Sequence, residues 1–304
     1  MAGQGLTSPC TQHPAQGRLP NWSESGPVSV DHYENFPVAS ILCPPAIRPA
    51  VRAIYHFART ADDIADEGHA SASRRLSDLA SFRSELQAVV RGHSSGPRWR
   101  SVFEPLATQI RARKLPPSLL HDLLDAFEQD VSNPRYEDRA ALLDYCRRSA
   151  NPIGRLLLHL YGIHDTQALR QADAVCSALQ LINFWQDLSV DAPRGRHYVP
   201  LADLGAHGVA LEELATRSDN VRTRRLVAAL CDWARTLMLE GAPLALRVPG
   251  RAGWELRLVV QGGLRVLEKI AHMHHASLVR RPAVGGLDLP LLLWRAAHMP
   301  RPAS

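Results

Sequence analysis

The chain has 304 residues, of which 45% are apolar and 21% are charged, as is ordinary for a globular protein with a sizeable core. The net charge of +5 comes from 35 basic and 30 acidic residues that are scattered along the chain. Because no recognition motif accompanies this charge, the composition argues against a nucleic-acid-binding protein.

The sequence also predicts the cellular setting. It contains no apolar run of about eighteen residues, which excludes a predicted transmembrane helix, and its N-terminus lacks a signal-peptide pattern. The five cysteines form no CxxC spacing, which favours a reduced, cytoplasmic setting. A basic surface favours peripheral contact with an anionic membrane face, so we expect contact at the inner face of the membrane.

In chain order, residues 1–28 are rich in Gly, Ser, Pro and Gln and are predicted to be a disordered tail. Residues 29–304 are predicted to form one all-α domain, since no segment has the two-residue alternation of a strand. We expect the main helices at residues 49–67, 76–90, 99–110, 118–131, 142–149, 153–161, 165–191, 219–240 and 251–275.

The first chemical signal is the stretch IYHFARTADDIADE at residues 54–67, on the first predicted helix. Carboxylates one helical turn apart cost about 0.2–0.5 kcal/mol, and only Arg59 is within reach to offset them. A solvated acidic face is the simplest interpretation, but such a local conflict is typical of a functional site. Its acidic residues are Asp62, Asp63, Asp66 and Glu67.

The second signal is LINFWQDLSVD, which spaces Asn183, Asp187 and Asp191 four residues apart on one face of another predicted helix. Two helices with oxygen ligands could converge on Mg²⁺, which prefers few protein ligands and completes its shell with substrate phosphates. Arg194 and Arg196 follow at once. Carboxylates for a metal beside arginines for phosphate predict a diphosphate substrate.

Asn151-Pro152 interrupts a helical pattern between residues 142 and 161. Proline inside a helix removes a hydrogen bond and kinks it, at roughly 3 kcal/mol if nothing compensates. A kink and a plain boundary between two short helices are both consistent with this pattern.

Taken together, YxFxRxxDDxxDE, the later YC and NxxQDxxxDxxRGRxYxP resemble the squalene/phytoene synthase family over residues 33–297. The stretches ENFPVAS, SANPIGRL and LLWRA resemble the branch that forms hydroxysqualene in bacterial hopanoid biosynthesis. This resemblance implies an isoprenoid synthase class I helical bundle, with a central cavity between the two acidic helices. It also implies an enzyme that ionises a prenyl diphosphate with the help of Mg²⁺.

The resemblance assigns roles to the residues of these motifs. The expected Mg²⁺ ligands, direct or through water, are Asp62, Asp66, Asn183, Asp187 and Asp191, with Asp63 and Glu67 binding or orienting them. The expected substrate-binding residues are Ser40, Arg59, Gln186, Arg194 and Arg196. The tyrosines expected near the reacting carbons are Tyr55, Tyr145 and Tyr198, although each of them is equally well read as a core residue.

The expected substrate is presqualene diphosphate, whose rearranged cation would be quenched by water, and the neighbouring enzymes of the pathway are expected partners. Asn151, with Ser149, is the candidate for holding that water, because a buried water needs two to four polar partners. Asn151 as a simple helix cap is the alternative. Sister enzymes that form presqualene diphosphate, squalene or phytoene remain open, as does a non-catalytic protein that binds prenyl lipids.

Overall fold

The computed structural model describes residues 43–300, and within that range the chain is helical with no β-strand. The predicted all-α class is therefore confirmed. The predicted tail at residues 1–28 and the candidate Ser40 lie outside the described residues. No helix of the described range is both long and apolar enough to cross a bilayer.

Most predicted helices are present, with ends that differ by a few residues. In chain order the α-helices are α1 (Arg48–Asp66), α2 (Ala72–Val90), α3 (Arg100–Arg113), α4 (Pro117–Ser132), α5 (Arg139–Ser149), α6 (Asn151–Leu160), α7 (Thr166–Gln186), α8 (Leu188–Asp191), α9 (Leu201–His207), α10 (Leu211–Ala215), α11 (Val221–Gly241), α12 (Leu244–Arg247), α13 (Gly250–His272) and α14 (Leu289–Ala297).

Helices α1 to α4 pack around one aromatic and aliphatic cluster. Phe57 of α1 and Phe82 of α2 have ring centroids 5.3 Å apart, and Phe103 of α3 lies 4.7 Å from Phe82. All three side chains are fully buried. This packing fixes the apolar face of α1 and leaves its acidic face on the opposite side.

Helix α7 is the central element of the remaining helices and packs against α5, α6, α11 and α13. The Asp165 side chain caps its start by accepting a hydrogen bond from the Ala168 amide at 2.9 Å. Helix α6 approaches α7 closely at Gly154, where a Cβ atom would lie 2.5 Å from Cys176 Sγ. This close approach brings the SANPIG stretch against α7.

The predicted continuous helix to Asp191 is wrong. Helix α7 ends at Gln186, and the short α8 begins after Asp187, whose ψ of 8° interrupts the helix. The side chains of Gln186 and Asp187 both bind the segment that follows α13, through Pro282 and Arg281. These tertiary contacts hold the interruption in place, and a sequence pattern does not encode them.

The Asn151-Pro152 pattern proves to be a plain boundary between two helices. Helix α5 ends at Ser149 and α6 begins at Asn151, with Ala150 between them. Ala150 is the N-cap residue of α6 and Asn151 is its first helical residue. The Asn151 side chain accepts a hydrogen bond from Ser177 of α7. The alternative in which Asn151 only caps this helix is therefore wrong.

Candidate active site

The acidic end of α1 is organised by one arginine. Arg59 lies one turn before the acidic residues, and its guanidinium contacts three carboxylates: Asp62 at 3.2 Å, Asp63 at 2.9 Å and Glu67 at 2.7 Å. The side chains of this group keep between 40% and 59% of their surface exposed. The end of α1 is therefore a charged surface that is partly exposed to solvent.

The second acidic group lies at the interruption between α7 and α8. Arg281, from the segment after α13, donates hydrogen bonds to both carboxylate oxygens of Asp187. Asp191 lies one turn further on and is half-buried. Arg196 then crosses to the first motif, where its Nη2 contacts Asp66 Oδ2 at 2.6 Å. The structure thus brings together two motifs that are about 120 residues apart in sequence.

Two carboxyl groups of this region have raised pKa values. Burial, and then repulsion from Asp66, raise the pKa of Asp62 to about 6. Burial, and then repulsion from Asp187, raise the pKa of Asp191 to about 6. These carboxyl groups resist ionisation because they are buried beside other negative charges, and a bound cation would stabilise their ionised forms.

A buried aromatic cluster adjoins the acidic groups. The Phe184 and Tyr198 rings stack with centroids 3.7 Å apart, and Tyr145 lies 6.3 Å from each of them. The Tyr145 hydroxyl donates to Asp130 Oδ2 at 3.1 Å. Burial, and then the nearby Asp130 charge, raise the pKa of Tyr145 well above its usual value, so this hydroxyl remains protonated. Tyr136 completes the cluster at 5.6 Å from Tyr145.

Asp130 is a site residue that the sequence reasoning missed. Burial raises its pKa to about 7, opposed by the hydrogen bond from Tyr145, and Asp62 adds to the rise. The missed signal is its place on α4, where it lies four and seven residues after Ala126 and Leu123, which are both buried. A carboxylate that continues an apolar stripe is unusual and marks a candidate site. Arg281 was also missed, and the Arg-Arg-Pro sequence around it carries no comparable signal.

A second polar group lies nearer the start of α7. The Ser177 hydroxyl donates to Asn151 Oδ1 at 3.0 Å, and both side chains are buried. The Ser149 Oγ is buried and has no hydrogen-bond partner within the described residues. Ser149 lies one turn after Tyr145 on α5, and Ser177 lies two turns before Phe184 on α7, so both occupy the faces that carry these rings.

The remaining predicted residues lie at different depths. Tyr55 is half-buried one turn before Arg59, and Asn183 is half-buried one turn before Asp187. Arg194 is exposed, although its charge lowers the pKa of Asp191. Gln186 is buried and donates its amide to the Pro282 carbonyl at 2.8 Å. In this structure Gln186 therefore holds the segment that carries Arg281.

The side chains of the two acidic groups have the chemistry that the predicted Mg²⁺ requires. Within residues 43–300, no three acidic, histidine or cysteine side chains converge closely enough to form a ready metal site. All the donors at the two acidic groups are carboxylate or amide oxygens, which suit a hard cation. The raised pKa values of Asp62 and Asp191 come first from burial and then from a neighbouring carboxylate, so a cation bound there would stabilise their ionised forms. The residues therefore fit Mg²⁺ ions whose coordination is completed by phosphate oxygens and water.

Comparison with known proteins identifies the family. The family profile described as squalene/phytoene synthase matches residues 30–288. The chain is 33% identical to a hydroxysqualene synthase of Sinorhizobium fredii, over 93% of this chain and 94% of that protein. It is 40% identical to a hydroxysqualene synthase of Zymomonas mobilis, over 74% of this chain and 75% of that protein.

Solved structures agree with this result. The squalene synthase HpnC from Alicyclobacillus acidocaldarius superposes with a TM-score of 0.73 at 35% identity, over 80% of this chain and 90% of that chain. A dehydrosqualene synthase, at 20% identity, superposes with a TM-score of 0.69 over 83% of this chain and 86% of that chain, and so supports the fold. The chain belongs to the squalene/phytoene synthase family.

Proposed function

We propose that this protein is a Mg²⁺-dependent enzyme that converts presqualene diphosphate and water into hydroxysqualene and diphosphate. The observation that carries the proposal is the contact between Arg196 and Asp66, which joins the two acidic motifs beside a buried aromatic cluster. The similar hydroxysqualene synthases support the choice of substrate and product. We assign the catalytic domain to residues 29–304.

The acidic end of the site would bind the leaving diphosphate. Arg59, Arg196 and Arg281 each contact a carboxylate here, so their charges are balanced before substrate arrives. Asp62, Asp66, Asn183, Asp187 and Asp191 would hold Mg²⁺, which when bound supplies positive charge that stabilises the departing diphosphate. Arg59, Arg196 and Arg281, aided by Arg194, would bind the diphosphate oxygens.

The aromatic cluster would accommodate the cation. The faces of Tyr145, Tyr198 and Phe184 carry negative quadrupole charge, which stabilises a carbocation without forming a bond to it. Their close packing also excludes bulk water. The Tyr145 hydroxyl is held by Asp130 at 3.1 Å, so Tyr145 would keep one orientation during the reaction. Tyr55, one turn before Arg59, would lie at the edge of this region.

The quenching water would be held by the polar group around Asn151. Ser177 lies ten residues before Asp187, which is about 15 Å along a helix. A water bound by Asn151 and Ser149 would therefore stand apart from the departing diphosphate and approach the cation from the other side. The partnerless Ser149 Oγ supports this assignment, because a buried hydroxyl without a partner costs about 1–3 kcal/mol unless water satisfies it.

The reaction balances without an oxidant or a reductant. The carbon–oxygen bond to diphosphate breaks, and its electron pair leaves with the diphosphate. After rearrangement, the oxygen of water forms a bond to the cationic carbon, and one proton is released to diphosphate or solvent. No hydride donor is needed, which separates this reaction from the reductive formation of squalene.

The substrate and the product are both long apolar chains, so the enzyme would exchange them with a membrane surface. One neighbouring enzyme must join two prenyl diphosphates to supply the substrate, and another must consume the product alcohol. Both are expected to work at the same surface, on the cytoplasmic side.

Product analysis tests this function. The purified protein is incubated with Mg²⁺ and with presqualene, farnesyl or geranylgeranyl diphosphate, each with and without a reduced nicotinamide, and the lipid products are separated. The expected product from presqualene diphosphate is hydroxysqualene, with or without the nicotinamide. Squalene that forms only with the nicotinamide, or turnover of farnesyl or geranylgeranyl diphosphate instead, would assign a sister activity. Absence of turnover of all three substrates, with retained binding, would indicate a binding protein.

A further inference from the structure

The end of the described chain exposes a concentration of large apolar side chains. Among residues 43–300, eleven large apolar residues are exposed, and four of these lie within the eight residues 287–294. Leu287 is 100% exposed, Leu289 52%, Leu293 46% and Trp294 60%. Exposed apolar residues are normal when they are scattered singly, but a contiguous patch marks an interaction site.

Helix α14 presents this patch on one face. Its sequence, LPLLLWRAA, contains one charged residue, Arg295, and two buried residues, Leu292 and Ala296. The exposed residues of α14 are all apolar: Leu289, Pro290, Leu293, Trp294 and Ala297. A surface helix of a water-soluble body normally carries charged or polar residues on its exposed face. The outer face of α14 therefore lacks the residues that water would favour.

The inner face of α14 is held firmly to the protein. Arg295 contacts Glu268 of α13 at 2.6 Å. Just before the helix, the buried Asp288 contacts Arg265 at 2.8 Å and Lys269 at 2.6 Å. These ion pairs fix the orientation of α14, so its apolar face is presented outward as part of the folded body.

The charge near this patch favours one kind of lipid surface. Of the three arginines in residues 273–300, Arg281 and Arg295 are paired with Asp187 and Glu268, so Arg280 supplies the positive charge at the surface. The one acidic residue, Asp288, is buried and paired. Arg280 is exposed beside the exposed Val279. Apolar residues that include a tryptophan, flanked by positive charge, match the acyl and headgroup layers of an anionic bilayer. We infer that the outer face of α14, together with Leu287 and Arg280, docks the protein onto a membrane that contains anionic phospholipid.

This surface is linked along the chain to the candidate active site. The segment that begins at Arg281, which grips Asp187, leads within eight residues to α14. Docking would therefore place the lipid surface at the end of the chain segment that carries Arg281. The inference rests on the proposed function only for the choice of a lipid partner. Because vesicle binding is measured without substrate, its failure and the failure of the catalytic proposal can be told apart.

The test is co-flotation of the full-length protein with vesicles of phosphatidylcholine alone or mixed with phosphatidylglycerol. The variant Leu293→Ser/Trp294→Ser removes the centre of the patch, and Val221→Ser/Leu239→Ser removes two exposed apolar side chains from α11 as a matched control. Circular dichroism and thermal unfolding verify that each variant is folded. Removal of one apolar side chain that inserts into the bilayer is expected to weaken membrane partitioning roughly ten-fold or more.

We expect the wild type and the α11 variant to float with the mixed vesicles, and the α14 variant to bind at least about ten-fold more weakly. Weaker flotation of the wild type with neutral vesicles supports the part assigned to Arg280. Equal binding by the folded α14 variant, or no binding by the wild type, overturns the inference. A wild-type dimer that the α14 variant converts to a monomer, without vesicle binding, would instead assign this face to a second copy of the chain.

Discussion

Replacement of Asp130 by Asn tests the electrostatics at the centre of the site. Burial raises the pKa of Asp130 from 3.8 to about 7, while its carboxylate accepts the Tyr145 hydroxyl at 3.1 Å. Between pH 3.8 and about pH 7, the folded state therefore keeps a proton on Asp130 that the unfolded state has released. The stability that this carboxyl group contributes is fully present below pH 3.8 and is lost as the pH rises through about 7.

The magnitude follows from the shift. A rise from 3.8 to about 7 is roughly three pKa units, or about 4 kcal/mol at 1.36 kcal/mol per unit. Because Asp130 is half-buried, contact with solvent reduces this to roughly 1–3 kcal/mol. Asparagine keeps an oxygen that accepts the Tyr145 hydroxyl, and it cannot ionise. We expect Asp130→Asn to gain roughly 1–3 kcal/mol of unfolding free energy over the wild type between pH 5 and pH 8.

Urea unfolding without Mg²⁺ at several pH values measures this difference. Asp122→Asn is the matched control, because Asp122 lies on the same helix and its loss leaves the Asp130–Tyr145 contact intact. The control is expected to lack the gain in stability that Asp130→Asn shows as pH rises through about 7, and to show only the smaller effect of removing a charge that raises the pKa of His121. A difference between Asp130→Asn and the wild type that is independent of pH, or that favours the wild type at pH 8, would refute the reasoning.

Three further predictions concern catalysis and packing. Excess chelator should abolish turnover, and full activity in chelator would contradict the metal mechanism. Asp187→Asn should lower turnover at least about a hundred-fold with the fold retained. Asn151→Ala should lower the hydroxysqualene share of the products about ten-fold and divert the cation to deprotonated hydrocarbons, whereas an unchanged product profile would show that water is positioned elsewhere. Gly154→Ala should lower the free energy of unfolding by about 1–3 kcal/mol, because its Cβ would lie 2.5 Å from Cys176 Sγ. The double variant with Cys176→Ala should recover most of that loss, and a single variant as stable as the wild type would disprove the close approach of α6 to α7.

Local sequence was sufficient to predict the longer helices and the two acidic motifs, although the short helices α9, α10, α12 and α14 were not predicted. Apolar residues at three- and four-residue steps mark the buried face of α1, and the same spacing leaves the Asp62 and Asp66 side of the helix outside that face. The arginine of the first motif could also be predicted to contact its acids, because Arg59 lies one turn away. These features depend on residues within one or two helical turns, so a one-dimensional pattern contains them.

The tertiary structure decided which of these groups meet. Asp130 meets Tyr145 across 15 residues, Arg281 meets Asp187 across 94, and Arg196 meets Asp66 across 130. The interruption at Asp187 depends on the same distant segment. Such contacts follow from how whole helices dock, which is set by the summed shape of many buried side chains. The sequence by itself therefore determined the longer helices and their charged faces, and only the packed structure determined the pairing of charges within the site.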